Sequence, residues 1–221
     1  MQRQLLFGLS LVFAGQAALH PLFAVDEPAA LQRFTFEEPH MGTRFRIVLY
    51  APDEATATKA AQAAFARVAE LNRIMSDYLA DSELMRLCKH AGGEPMKVSQ
   101  DLFAVLQKAQ DVAQLSGGAF DVSVGPIVRL WRVARKTKKL PDPEELKRAL
   151  AKVDYRNIRL DAERRTVQLL VMGMLLDLGG IAKGYAADAI LEVLRGHGIT
   201  RAMAAAGGDI AVGGSPPDAG S

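Results

Sequence analysis

Apolar positions along this chain change their period several times, and each change marks an element. Phe34-Thr35-Phe36 alternates and predicts a short strand; residues 43–50 alternate again, with Phe45, Ile47 and Leu49 on one face. After Pro52-Asp53 the spacing lengthens to three and four. Ala57, Ala60, Ala61, Ala64, Phe65, Val68, Leu71 and Met75 then form one stripe, which predicts a long amphipathic helix. A short helix with Leu84 and Leu87 follows, capped by Asp81 or Ser82 and closed at Gly92-Gly93. Ser99 caps the next, whose apolar side carries Leu102, Leu106, Ala109, Val112 and Leu115 until Ser116-Gly117-Gly118 stops it. Asp142-Pro143 opens another, running through Leu146 and Leu150.

The second half returns to strand periodicity. Residues 158–160 and 166–171 flank the polar turn Asp161-Ala162-Glu163-Arg164 and read as a hairpin, and residues 174–178 read as a third, very apolar strand. Residues 181–194 predict a helix ended by Gly196, and small-residue strands at 201–205 and 210–212 surround Gly207-Gly208-Asp209. Hairpins interspersed with helices, with no regular βαβ alternation, predict an α+β fold: a mixed two-layer domain of sheet and helices over residues 34–214, with a loop-like tail at 215–221.

The first residues stand outside that scheme. Arg3 supplies a positive end, residues 5–19 are apolar, and His20-Pro21-Leu22-Phe23-Ala24 follows, which reads as a signal peptide over residues 1–24 cleaved after Ala24. The apolar stretch is shorter than the roughly 20 residues of a membrane span, so no span is expected once the signal is removed; a retained N-terminal anchor is the alternative. Export to the periplasm is the expectation, without a lipid-modified N-terminus because no cysteine lies there. The single cysteine, Cys88, has no intrachain partner for a disulfide and sits on an apolar helical face, so it reads as a packing thiol.

Composition is that of an ordinary globular chain, about half apolar and a quarter charged, and the formal charge of +2 generates no field that would argue for nucleic acid. Arg129, Arg132, Arg135, Lys136, Lys138 and Lys139 form a local basic patch that reads as a solvated helix or loop face. The four histidines share no metal-ligand spacing, and neither Cys-x-x-Cys nor Gly-x-Ser-x-Gly occurs. Gly179-Gly180-Ile181-Ala182-Lys183-Gly184 fails the P-loop pattern, since Lys183 precedes the last glycine and no Ser or Thr follows. Asp177 nevertheless ends an apolar run, two glycines follow, and a helix begins with Lys183 in its first turn. Such a terminus can seat a phosphate; by itself it also reads as a tight turn with a solvated Asp and Lys. The segment Gly117-Gly118-Ala119-Phe120-Asp121-Val122-Ser123-Val124-Gly125-Pro126 suggests backbone lining a cleft, or a loop with a capping Asp.

Taken as a set, Met41-Gly42-Thr43, residues 117–126 leading to Leu130-Trp131, Asp177-Leu178-Gly179-Gly180-Ile181-Ala182-Lys183-Gly184-Tyr185-Ala186-Ala187-Asp188 and Gly207-Gly208-Asp209-Ile210 resemble the ApbE family of FAD:protein FMN transferases. The resemblance implies transfer of FMN from FAD, with Mg²⁺, to a threonine or serine hydroxyl of an acceptor flavoprotein subunit of a membrane redox complex. It implies that Met41, Tyr78, Ala119, Phe120, Asp121, Asp177 and Lys183 contact the nucleotide and that the carbonyl of Gly180 ligates magnesium. No family residue is carried over as the catalytic one. The family pattern continues past Asp209 with motifs that supply further magnesium ligands and that do not occur here, so the chain reads as C-terminally incomplete. The alternative is an inactive flavin-nucleotide-binding or partner-binding fragment.

Overall fold

A computed structural model describes residues 30–217; the expected signal peptide lies outside the described residues. Strands β1 (Gln32–His40) and β2 (Thr43–Ala51) form a hairpin, and β6 (Ala202–Ala206) and β7 (Asp209–Val212) form a second. The two join through β2 and β6 into an antiparallel sheet of order β1-β2-β6-β7. Helices α1 (Glu54–Met75) and α6 (Ala182–Gly196) pack against each other and against this sheet. A second antiparallel sheet, β3 (Met96–Lys97), β5 (Thr166–Leu169) and β4 (Ile158–Asp161), lies beside α2 (Glu83–Lys89) and α3 (Gln100–Leu115). Helices α4 (Gly125–Thr137) and α5 (Pro143–Leu150) complete the α+β fold.

Each element follows from its pattern. Asp53 caps α1 by accepting from the Thr56 N–H, and the buried residues of α1 are the stripe from Ala57 to Met75 that the spacing predicts. Phe45, Ile47 and Leu49 of β2 are fully buried, as alternation requires. One continuous apolar cluster joins both sheets and the helices between them. At one edge of the first sheet, β7 leaves Ile210 and Val212 exposed.

Three expectations are corrected. Residues 174–178 are not a ladder strand. Met174, Leu176 and Leu178 are buried, but among the described residues the segment makes only one isolated parallel bridge, Leu175 to Val124. Its backbone groups go elsewhere: the Asp177 N–H donates to the Val122 carbonyl at 2.8 Å and the Leu176 N–H to Cys88 Sγ at 3.3 Å. An apolar run of this length has no periodicity to separate a strand from a buried connection. Second, Leu115 and Leu150 end their helices exposed; in the same last turns it is Ala113 and Ala149 that are buried. Third, the basic patch expected to be a solvated face lies mostly on helix α4, and its Arg132 side chain is only 27% exposed. Gly125-Pro126 resembles a break, yet proline at the first turn starts a helix without losing a bond. Cys88 is buried, and burial pushes its thiol pKa up, as befits a packing residue.

Two features define tolerances. A Cβ at Gly125 would lie 2.5 Å from the Leu175 carbonyl oxygen, so only glycine lets α4 start against the 174–178 segment. Gly125→Ala is expected to lower stability by about 1–3 kcal/mol, read as a lower urea midpoint at unchanged slope; an unchanged midpoint would show that the segment yields. The second is a polar tie among three helices. Tyr185 Oη (α6) donates to Asp101 Oδ1 (α3) at 2.8 Å, and Arg67 (α1) donates to the same oxygen. Burial first, and the Asp101 hydrogen bond second, push the Tyr185 phenol up to about 12. Because the unfolded chain then loses this proton first, the contribution is complete below the ordinary value of about 10 and is lost as pH rises through the folded value. Tyr185→Phe should therefore be less stable than the parent at pH 7, with the difference shrinking across that window. Parallel denaturation curves at both ends would contradict the assignment.

Candidate functional site

A cleft of about 450 Å³ opens where several elements meet; its lining includes Met41, Gly42, Met75, Asp77, Tyr78, Arg132, Asp177, Gly179 and Lys183. Its size suits a small organic ligand.

Met41 and Gly42 are the two central residues of the β1–β2 turn, with φ of 47° and 72°. Two-residue hairpin turns favour positive φ at both positions because that twist matches the strands. Gly42 adopts it without strain; Met41 does so against a Cβ penalty of order 1 kcal/mol. The turn thereby places a half-buried methionine in the cleft wall, packed on the core.

Residues 76–82 form the opposite wall. Ser76 Oγ accepts from the N–H groups of Tyr78 and Leu79, both at 3.2 Å. Ser82 Oγ donates to the Ser76 carbonyl at 2.6 Å and accepts from the Met85 N–H, so it caps α2 and closes the loop at once. Asp77 and Tyr78 project from this loop, and Tyr78 remains 74% exposed.

The floor is the turn into α6. Asp177 Oδ1 accepts from the Gly179 N–H at 2.8 Å, and Lys183 Nζ donates to the Gly179 carbonyl at 2.7 Å while standing 3.7 Å from Asp209 Oδ2. No side chain caps α6 at Ile181; the Ala182 N–H donates to the Leu178 carbonyl at 2.8 Å, while the next N–H groups of the first turn, at Lys183 and Gly184, and the positive dipole end remain available to an anion. Arg132 of α4 reaches across: Nη2 donates to Asp177 Oδ2 at 2.9 Å, Nη1 donates to Asp77 Oδ2, and Cζ lies 4.3 Å from the Tyr78 ring centroid. Partial burial draws the Arg132 pKa down, but the Asp77 hydrogen bond and both carboxylates more than reverse this, so the guanidinium is held charged.

Of the residues singled out in the sequence, Met41, Tyr78, Asp177 and Lys183 meet in the cleft. Ala119, Phe120, Asp121 and Gly180 are not among its lining residues. Phe120 packs against Gly180, where an added Cβ would come within 3.2 Å of the ring. Both Asp121 oxygens are engaged internally: Oδ1 accepts from the Ser123 N–H and hydroxyl, and Oδ2 from the Tyr155 N–H. The sequence motifs converge, since Gly207 packs on Thr43 and Lys183 reaches Asp209. Arg132 and Asp77 were missed as site residues. Arg132 was hidden in a basic patch; its apolar neighbour Trp131, in a segment already quoted for its resemblance, was the available signal.

Gly180 is exposed in its turn, as a carbonyl ligand would need. Among the described residues, however, no group of three or more His, Cys, Asp or Glu side chains gathers as a metal site. The two carboxylates facing the cleft are both engaged by Arg132. A hard divalent cation needs several oxygen donors, so the described residues do not by themselves fit magnesium. Among them also, no helix is long and apolar enough to cross a membrane.

The fold and cleft define an α+β domain with an open cleft at the start of α6. A profile of the ApbE family matches residues 41–221, and the chain belongs to that family. It is 36% identical over 188 residues to the FAD:protein FMN transferase of Treponema pallidum, covering 82% of this chain and 52% of that protein. With the FAD:protein FMN transferase of Vibrio cholerae it shares 32% identity over 199 residues, covering 88% and 58%. A point variant of the Vibrio cholerae flavin transferase ApbE superposes with a TM-score of 0.78 at 30% identity, over 85% of this chain and 64% of the other. The chain thus spans little more than half the length of these curated relatives.

Ser82→Ala should cost about 1–2 kcal/mol, since it removes both a cap and a loop tie, and amide exchange at residues 77–80 should accelerate. Unchanged exchange there would mean that Ser76 alone orders the loop.

Proposed function

We propose that this protein transfers FMN from FAD to a threonine or serine hydroxyl of an exported acceptor flavoprotein, a subunit of a membrane redox complex, in the periplasm and with Mg²⁺. The observation that carries the reading is the convergence of Met41, Tyr78, Asp177 and Lys183 around the uncapped start of α6. Two relatives over 30% identical bear the name FAD:protein FMN transferase, which supports the same chemistry. In this reading the acceptor hydroxyl oxygen bonds to the flavin-side phosphorus of FAD, the bond from that phosphorus to the bridging oxygen breaks, AMP leaves with the electron pair, and the hydroxyl proton is released.

The chain's own residues account for binding and orientation. The Lys183 and Gly184 N–H groups at the start of α6 and the Lys183 ammonium are positive ends suited to a pyrophosphate. Met41 offers an apolar wall, and the exposed ring of Tyr78 a surface on which a flat heterocycle can stack. Phosphoryl transfer depends chiefly on positioning and charge stabilisation, which these groups provide. Magnesium dependence follows from the family resemblance, with the Gly180 carbonyl as one donor; no step is routed through the ion here.

Mixing the protein with FAD, Mg²⁺ and a threonine-bearing acceptor domain should add an FMN-sized mass to the acceptor, read by mass spectrometry of its peptides. Lys183→Ala should lower the rate about tenfold or more, the effect of losing a charge-assisted contact, and Lys183→Arg should recover part of it. FAD binding without any mass gain would instead select the alternative, a flavin-nucleotide-binding protein without transfer.

A further inference from the structure

We infer that Arg132 is a positioning residue of the nucleotide cleft, holding Asp77, Asp177 and the Tyr78 ring in the arrangement that receives the nucleotide; this rests on the transfer reading above. The groups come from two separate parts of the chain, the loop after α1 and the turn into α6, and Arg132, from the middle of α4, touches all three. One guanidinium nitrogen donates to Asp77, another to Asp177 at 2.9 Å, and the carbon between them lies 4.3 Å from the Tyr78 centroid. The side chains are largely sequestered, at 27%, 15% and 12% exposure for Arg132, Asp77 and Asp177.

This geometry uses what distinguishes arginine from lysine: a planar fork with several donors and a face that stacks on aromatics. Remove the fork and two carboxylates face each other across a partly buried gap with no intervening cation, close to where a pyrophosphate would approach. Like charges so placed repel each other and the ligand. Asp177 transmits the disturbance further, because its other oxygen holds the Gly179 N–H and hence the turn into α6. Tyr78 would lose the contact on one ring face that fixes its orientation, leaving an exposed ring to rotate.

The test is a titration of the whole chain with FAD alone, followed by quenching of flavin fluorescence. Arg132→Ala should weaken binding about tenfold or more, as expected for losing hydrogen bonds to charged groups, and Arg132→Lys should restore only part. Asp77→Asn should weaken binding when Arg132 is present and improve it when combined with Arg132→Ala, since it then removes an uncompensated charge. That reversal of sign is a readout that a merely structural arginine would not produce. Binding by Arg132→Ala equal to the parent would overturn the inference, as would an Asp77→Asn effect of the same size and sign in both backgrounds. Should Arg132→Ala fail to fold by circular dichroism, parent-like binding by Arg132→Lys would overturn it equally. If the parent itself does not bind FAD, the nucleotide reading falls and this inference falls with it. Parent binding with unaffected variants removes the inference alone.

Discussion

The close seating of α6 and α1 on the first sheet is the constraint from which the cleft follows. The contact is made largely of alanine: Ala57, Ala60, Ala61 and Ala64 on α1, Ala186 and Ala187 on α6, and Ala202, Ala204 and Ala206 on β6 are all buried. Small side chains let the helices approach the strands closely, and close-packed interiors transmit any change of volume as displacement. A larger residue anywhere in this layer would lift α6 away from β6 and carry its first turn with it. Since that turn forms the cleft floor, alanine packing that looks purely structural sets the position of Lys183 and of the uncapped N–H groups. The Tyr185–Asp101–Arg67 tie adds a polar stop against sliding at the same end of α6.

A second constraint comes from the 174–178 segment. It is buried like a strand but pairs like a connection, its backbone bonds shared among Val122, Cys88 and Val124. A strand in a ladder would have its direction set by two neighbours along its whole length. Here individual contacts do so instead, and Asp177 emerges at a point fixed by α4 through Gly125 and by the loop through Val122. The residue that must face the ligand is thus positioned by the elements that carry Arg132 and Phe120.

Much of this was legible beforehand because periodicity reports burial directly. The α1 stripe, the alternation of β2, the cap at Ser99, the helix starts after Pro52-Asp53 and at Pro143 and the β4–β5 hairpin each rest on a local rule that tertiary packing did not override. The 174–178 segment was misread because a continuous apolar run carries no period. Arg132 was misread for another reason: a basic residue on an amphipathic helix looks identical in sequence whether it meets solvent or two carboxylates brought from elsewhere. Asp77 shared that fate, since its partner lies 55 positions away. Met41, Tyr78, Asp177 and Lys183 were found through family resemblance; the turn chemistry of Met41-Gly42 explains one of them, as a positive-φ pair at a hairpin tip.

The charge arrangement of the cleft carries a final consequence. Two carboxylates, Asp77 and Asp177, line a place suited to an anion and a third, Asp209, stands near its Lys183, which is paradoxical until their partners are considered. Asp77 and Asp177 are held by one guanidinium, Asp177 also accepts from a backbone N–H, and Asp209 stands near the Lys183 ammonium. Each negative group thereby has a positive or donor group beside it before any ligand arrives, and what remains unmatched is positive: the Lys183 and Gly184 N–H groups in the first turn of α6. In the transfer reading proposed above, the pyrophosphate of FAD would meet that terminus and its flat ring the Tyr78 face, leaving the ion pairs in place. The acidic residues then act as anchors that fix the cations, and the anion is met by the backbone.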